Sequence, residues 1–191
     1  MSELLSELLS EPLKVTYETT PNPQSMKFIF SKPIAEEIVQ FDSTQACQRS
    51  PLATKIFGFP WAAAVMIGKD FVTITKQDWV EWDIIAEHLA NLLQEHIQDS
   101  EPVLLPKAVV AESSQDSAMV VQIKKIFNEE IRPAVAMDGG DIVFHCYEEG
   151  RVYVHLHGAC SGCPGATATL KEGVEARLKS SIPEITEVIA L

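Results

Sequence analysis

The run Gly158-Ala-Cys-Ser-Gly-Cys-Pro-Gly165 stands between a strand-like stretch, Arg151-Val-Tyr-Val-His-Leu-His157, and a helix-like one, Gly165-Ala-Thr-Ala-Thr-Leu-Lys-Glu-Gly-Val-Glu-Ala-Arg-Leu-Lys179. A strand, a glycine-rich turn and a helix therefore follow one another, and the turn holds two thiols, Cys160 and Cys163. Thiols beside a helix N-terminus lie next to unpaired N–H groups and the positive end of the macrodipole, so their thiolate form is expected to be favoured. Thiolate binds soft metals, and a pair at this spacing can also close a disulfide.

The preceding residues set the strand in a hairpin. A three-residue loop, Glu148-Glu-Gly150, pairs Ile142 with Leu156, Phe144 with Val154 and Cys146 with Val152. This register puts the apolar side chains, Cys146 included, on one face, and His145, His155, His157, Tyr147 and Tyr153 on the other. Before the hairpin, Val120, Ile123, Phe127 and Ile131 recur at helical spacing from a cap at Asp116 or Ser117. Arg132-Pro133 is expected to begin the end of that helix, and Asp138-Gly-Gly-Asp141 to form a turn whose carboxylates bond local N–H groups. After the thiols, Leu170, Val174 and Leu178 mark a helix and Ile185–Leu191 a last strand. The order is α-β-β-α-β.

The amino-terminal half shows the same grammar without the chemistry. Lys14–Thr19 alternates like a strand, Thr20-Pro-Asn-Pro23 breaks it, and Ser25–Phe30 places Met26, Phe28 and Phe30 on one face. Ser50-Pro51, followed by Leu-Ala-Thr-Lys-Ile-Phe57 and Gly58, reads as a capped short helix. Val65–Ile67 and Phe71–Thr75 read as a hairpin, and Trp82–Gln98 as a helix with Ile85, Leu89 and Leu92 on one stripe. The fold class is thus α+β: two small domains, each a short sheet packed by helices. The expected division is an extension over 1–12, a domain over 13–98, a Pro- and Ser-containing linker over 99–117 and a second domain over 118–191.

The chain has 191 residues and a formal charge of −12. Residues 1–117 carry 17 acidic against 8 basic side chains, and residues 118–191 carry 10 against 7. No basic footprint for nucleic acid is present, so Trp61, Trp79 and Trp82 read as packing residues. No run approaches the roughly 18 apolar residues of a membrane span. The acidic start, Met1–Glu11, lacks Arg and a basic, apolar leader pattern, which makes a cytoplasmic protein the expectation. Cys47 sits in a polar run and reads as a spare thiol.

Several readings of Cys160 and Cys163 stand. Filler thiols are disfavoured in so glycine-rich a loop. A thiol–disulfide oxidoreductase fits the strand–turn–helix placement, but only 28 residues follow Cys163, too few for the further strands a thioredoxin sheet needs. A structural zinc site wants four ligands from one chain, and the hairpin register sends Cys146 and the pair His155 and His157 to opposite faces. An iron-sulfur cluster wants four thiolates; two copies of the loop about a two-fold axis would supply them. A cluster held at such a seam is open to attack by another protein's thiolates.

Asp138-Gly-Gly-Asp141, Gly158–Gly165 and Thr169-Leu-Lys-Glu-Gly-Val-Glu175 together closely resemble the carboxy-terminal domain of NifU-like (Nfu) iron-sulfur scaffold and carrier proteins. Thr20–Pro23, Met26–Phe28, Ser50–Ala53 and Gly68–Thr75 resemble that family's amino-terminal domain. The resemblance implies that Cys160 and Cys163 from each of two chains ligate one 4Fe-4S cluster per homodimer. It further implies that the cluster passes from upstream assembly proteins to apo iron-sulfur clients, and that the protein is not an enzyme. The amino-terminal domain would contact clients or assembly partners.

Overall fold

The computed structural model describes residues 13–106, 116–161 and 164–191; the expected extension over 1–12 and residues 107–115 of the expected linker lie outside them. Alternating residues build five strands, β1 (Val15–Thr19), β2 (Ser25–Phe30), β3 (Val39–Phe41), β4 (Ala62–Ile67) and β5 (Phe71–Lys76). They form one antiparallel sheet in the order β1-β2-β5-β4-β3. Two helices pack on it, α1 (Pro51–Phe57) and α2 (Trp82–Gln98). Ser50 caps α1 by accepting from the Ala53 N–H at 2.9 Å, with Pro51 at the first helical position, as its sequence predicts. The face of α2 buries Leu89 and Leu93, with Leu92 only partly covered.

One side of this sheet is the expected apolar one, with Met26, Phe28, Val65, Ile67, Val72 and Ile74 in a single core with Leu52, Ile56 and Leu93 of the helices. The other side is not left to water. Lys27 lies opposite Thr73, Thr73 opposite Met66 and Met66 opposite Gln40. Directly opposed residues share a face, so these four make a row across β2, β5, β4 and β3. Lys27 is 9% exposed, Thr73 1% and Met66 1%.

The second sheet and its helices cover that row. They comprise α3 (Ala118–Ile126), a π-helical turn (Phe127–Ile131), α4 (Arg132–Met137), β6 (Gly140–Glu148), β7 (Arg151–Gly158), α5 (Pro164–Ser181) and β8 (Glu187–Ala190). Strand order is β6-β7-β8, with β6 and β7 antiparallel and β7 and β8 parallel across the α5 connection. Ser117 caps α3 by accepting from the Val120 N–H at 3.3 Å. Ile123, Phe127, Ile142, Val152, Val154, Leu178 and Ile182 form the core. The protein is α+β with two sheets, each packed by helices, and the carboxy-terminal order is α-β-β-α-β.

Two local expectations are corrected. The helix does not end at Arg132-Pro133 but continues to Met137. A proline ring crowds the carbonyl four residues back, here Glu129, and Glu129 lies in the π turn, whose wider hydrogen-bond spacing leaves room. In the hairpin, Ile142 faces Leu156 and Phe144 faces Val154, but a shift between Phe144 and Cys146 places Cys146 opposite Tyr153 and Tyr147 opposite Val152. The extra residue in β6 lets a two-residue turn, Glu149-Gly150 with φ of 49° and 83°, close the hairpin. Tyr147, rather than Cys146, packs against the core.

Phe28 is fully buried and its ring lies 6.4 Å from that of Trp82. Phe28→Ala is expected to cost about 3–5 kcal/mol. Tryptophan fluorescence during urea unfolding checks this, since Trp61, Trp79 and Trp82 all precede the second sheet; an unchanged midpoint would refute the packing account.

Candidate functional site

β7 ends at Gly158 and α5 begins at Pro164; Cys160 lies in the loop between them, while Cys163, the other expected ligand, lies outside the described residues. The loop is laced to the turn before β6. The Ala159 N–H donates to the Gly139 carbonyl at 3.1 Å, and the Ser161 N–H and hydroxyl both donate to the Gly158 carbonyl, at 3.2 and 2.9 Å. Gly139 and Gly158 have φ of 74° and 62°, a backbone region that a side chain disfavours.

Cys160 is 7% exposed and belongs to the second apolar core. A Cβ on Gly140 would lie 2.1 Å from its Sγ, so only glycine leaves the sulfur its seat. Burial pushes the thiol up to about 11, and the negative charges of Asp138 and Asp141 act in the same direction. This reverses the expectation of a stabilised thiolate in the metal-free chain: desolvation outweighs the helix dipole. Because the folded chain holds this proton more tightly than the unfolded one, the thiol's contribution to stability is present below the ordinary thiol range. It is lost as pH rises towards 11.

Asp141 is not the turn residue expected. It is 1% exposed, and its two carboxylate oxygens accept from Arg132 Nε and Nη2, both at 2.8 Å. The bidentate fork compensates a buried carboxylate two strand residues from the loop, and it holds α4 against β6. His157 lies opposite Asp141 in the hairpin, and burial lowers its pKa. The rings of His145 and His155 are 5.0 Å apart and those of His155 and His157 are 6.5 Å apart. Among the described residues, no three His, Cys, Asp or Glu side chains gather into a metal-holding group. Cys47 is buried in the first core, its thiol donating to the Ser43 carbonyl at 3.2 Å.

A cavity of about 690 Å³ opens beside Cys160, lined by Ile131, Val135, Leu170 and Val174, and by Pro21 of the first sheet's β1–β2 connection. That connection also meets the loop directly: Asn22 Nδ2 donates to the Ser161 carbonyl at 3.1 Å. Sequence reasoning took Thr20-Pro-Asn-Pro23 for a strand breaker and missed this contact. The available signal was an amide side chain held between two prolines.

Residues 123–189 match the NifU-like domain family, and residues 15–100 match the family described as scaffold protein Nfu/NifU N terminal. The chain is 34% identical over 175 residues to the NFU1 iron-sulfur cluster scaffold homolog, mitochondrial, of Homo sapiens, an alignment covering 90% of this chain and 69% of that protein. The protein of the same description from Drosophila persimilis is 34% identical over 191 residues, covering 97% and 68%. NifU-like protein 4, mitochondrial, of Arabidopsis thaliana is 36% identical over 179 residues, covering 90% and 63%. These relatives are mitochondrial by name, which overturns the cytoplasmic expectation. That expectation rested on the charge of eleven leading residues, and the folded domains bear no physical mark of a compartment.

Gly140→Ala is expected to expel the Cys160 sulfur from its seat and let its pKa fall towards the ordinary thiol range. Alkylation of Cys160 at pH 8, followed by peptide mass spectrometry, should accelerate by about tenfold or more. An unchanged rate would show that the Gly140 contact does not set the thiol's environment.

Proposed function

The chain belongs to the Nfu family of iron-sulfur cluster scaffold proteins, and from that premise we propose that Cys160 and Cys163 of two chains together hold one 4Fe-4S cluster as cargo for apo-protein clients. The reading rests on a shortage. The motif supplies two thiols, and among the described residues, which do not include Cys163, no three His, Cys, Asp or Glu side chains gather into a metal-holding group. Four thiolates are what such a cluster requires, and a two-fold axis doubles the two available.

The state of Cys160 favours a carrier over a permanent holder. Binding iron must release the thiol proton, and a thiol pushed up to about 11 resists releasing it, so loading carries a proton cost at Cys160 that unloading returns. Transfer is then a ligand exchange: a client thiolate forms a bond to iron, the bond from iron to Cys160 breaks, and the departing sulfur takes up a proton and returns to its seat against Gly140. No bond in the client's own chain is made or broken, so the protein acts as a carrier and not as an enzyme.

Anaerobic reconstitution with iron and sulfide, followed by iron counting and light scattering, tests the reading. The expected result is about two irons per chain in a dimer, and none when Cys160 and Cys163 are both replaced by Ser with helix content unchanged. A monomer that saturates with about four irons would overturn it.

A further inference from the structure

The row on the first sheet has no role in holding iron, yet each member meets the last residue of α4, the turn after it, or the end of β7 that leads into the Cys160 loop. Lys27 Nζ donates to the Met137 carbonyl at 2.8 Å and Thr73 Oγ1 to the Gly139 carbonyl at 2.7 Å. Gln40 Oε1 accepts from the Gly158 N–H, and the Met66 thioether fills the space where a Gly158 Cβ would stand. Beyond the row, Asn22 donates to the Ser161 carbonyl while its own Oδ1 accepts from the Gln24 N–H at 3.0 Å. The backbone is thus held from outside at Gly158 and at Ser161, the two residues that bracket Ala159 and Cys160.

These are costly groups to bury, and their partners lie across the contact between the two sheets. Asn22 is 4% exposed, and Lys27 Nζ lies between the Met137 carbonyl, Glu18 at 3.3 Å and the face of Phe71 at 5.1 Å. Were the sheets apart, water would serve the same groups; together, each is satisfied by a specific backbone atom of the other part. An antiparallel sheet commonly leaves one face wet, and here that face is matched to two glycine turns instead.

We propose that the five-stranded sheet is a cap for the Cys160 loop in the cargo-free chain, with Asn22 and Gln40 as positioning residues on either side of the thiol, and that the cap must part before a second chain can reach Cys160. The proposal rests on the two-chain reading above, because a partner's loop would need the space beside Cys160 that Pro21 now borders.

The test uses the full-length, reduced, cargo-free chain. Hydrogen exchange of the Gly158 amide, followed by NMR, is expected to be slow in the wild type and about tenfold or more faster in Gln40→Ala. Gln40→Glu, which keeps an acceptor oxygen, is expected to restore protection. Asn22→Asp keeps the Gln24 bond but cannot donate to Ser161. It does not touch Gly158, and it is expected to speed Gly158 exchange because the cap closes as a unit. In a second arm, Asn22→Asp should take up iron and sulfide several-fold faster than the wild type and reach the same final iron content. Equal exchange in the wild type, Gln40→Ala and Asn22→Asp would overturn the cap, and equal uptake rates would overturn its parting. Should no chain take up iron, the scaffold reading fails and the exchange arm alone decides the cap.

Discussion

Two glycine turns pressed against a sheet constrain everything else in this protein. Gly139 and Gly158 both sit at positive φ, and a Cβ on either would run into side chains of the first sheet or the backbone of the other turn. With those atoms absent, the carbonyls at 137 and 139 and the amide at 158 come within hydrogen-bonding reach of Lys27, Thr73 and Gln40. The same closeness starts β6 at Gly140, ends β7 at Gly158 and seats the Cys160 sulfur against Gly140. A larger residue at Gly139 would press on the first sheet, one at Gly158 on Met66 and the Gly139 carbonyl, and one at Gly140 on the Cys160 sulfur of the second core.

Much of the architecture is written locally and could be read before any coordinates. Ser50 with Pro51, Ser117 ahead of an apolar periodicity, and the alternation of Met26, Phe28 and Phe30 each name an element through short-range physics that the fold obeys. What could not be read depends on partners distant in sequence. Lys27, Thr73 and Gln40 look like a solvated strand face because nothing in their own neighbourhood says that residues more than sixty positions away will cover them. Asp141 looks like a turn residue until Arg132 swings round to meet it. The Cys160 thiolate seemed favoured because the helix after it is visible in the sequence, whereas the apolar shell around the sulfur is a property of the folded chain.

The hairpin adds a different kind of lesson. Matching apolar faces correctly predicted the pairs near the open end, Ile142 with Leu156 and Phe144 with Val154. It failed near the turn because a bulge and a tight two-residue reversal satisfy the same facial pattern as a longer loop. Binary patterning fixes which side chains must share a face and leaves the chain two routes to that end. The choice between Cys146 and Tyr147 as the residue that packs against the core follows from the route taken.

The π turn at Phe127–Ile131 has a consequence for how this chain tolerates change in length. A π turn amounts to one surplus residue taken up by wider winding, so whatever follows keeps nearly the azimuth that a regular helix one residue shorter would give it. Arg132 follows immediately, and its fork meets Asp141 only at its present azimuth. Losing a single amino acid from this turn would heal the helix into regular form with the guanidinium still aimed at its buried carboxylate, but the Pro133 ring would then crowd the carbonyl four residues back. Natural variation here should therefore couple the loss of the surplus residue to replacement of the proline.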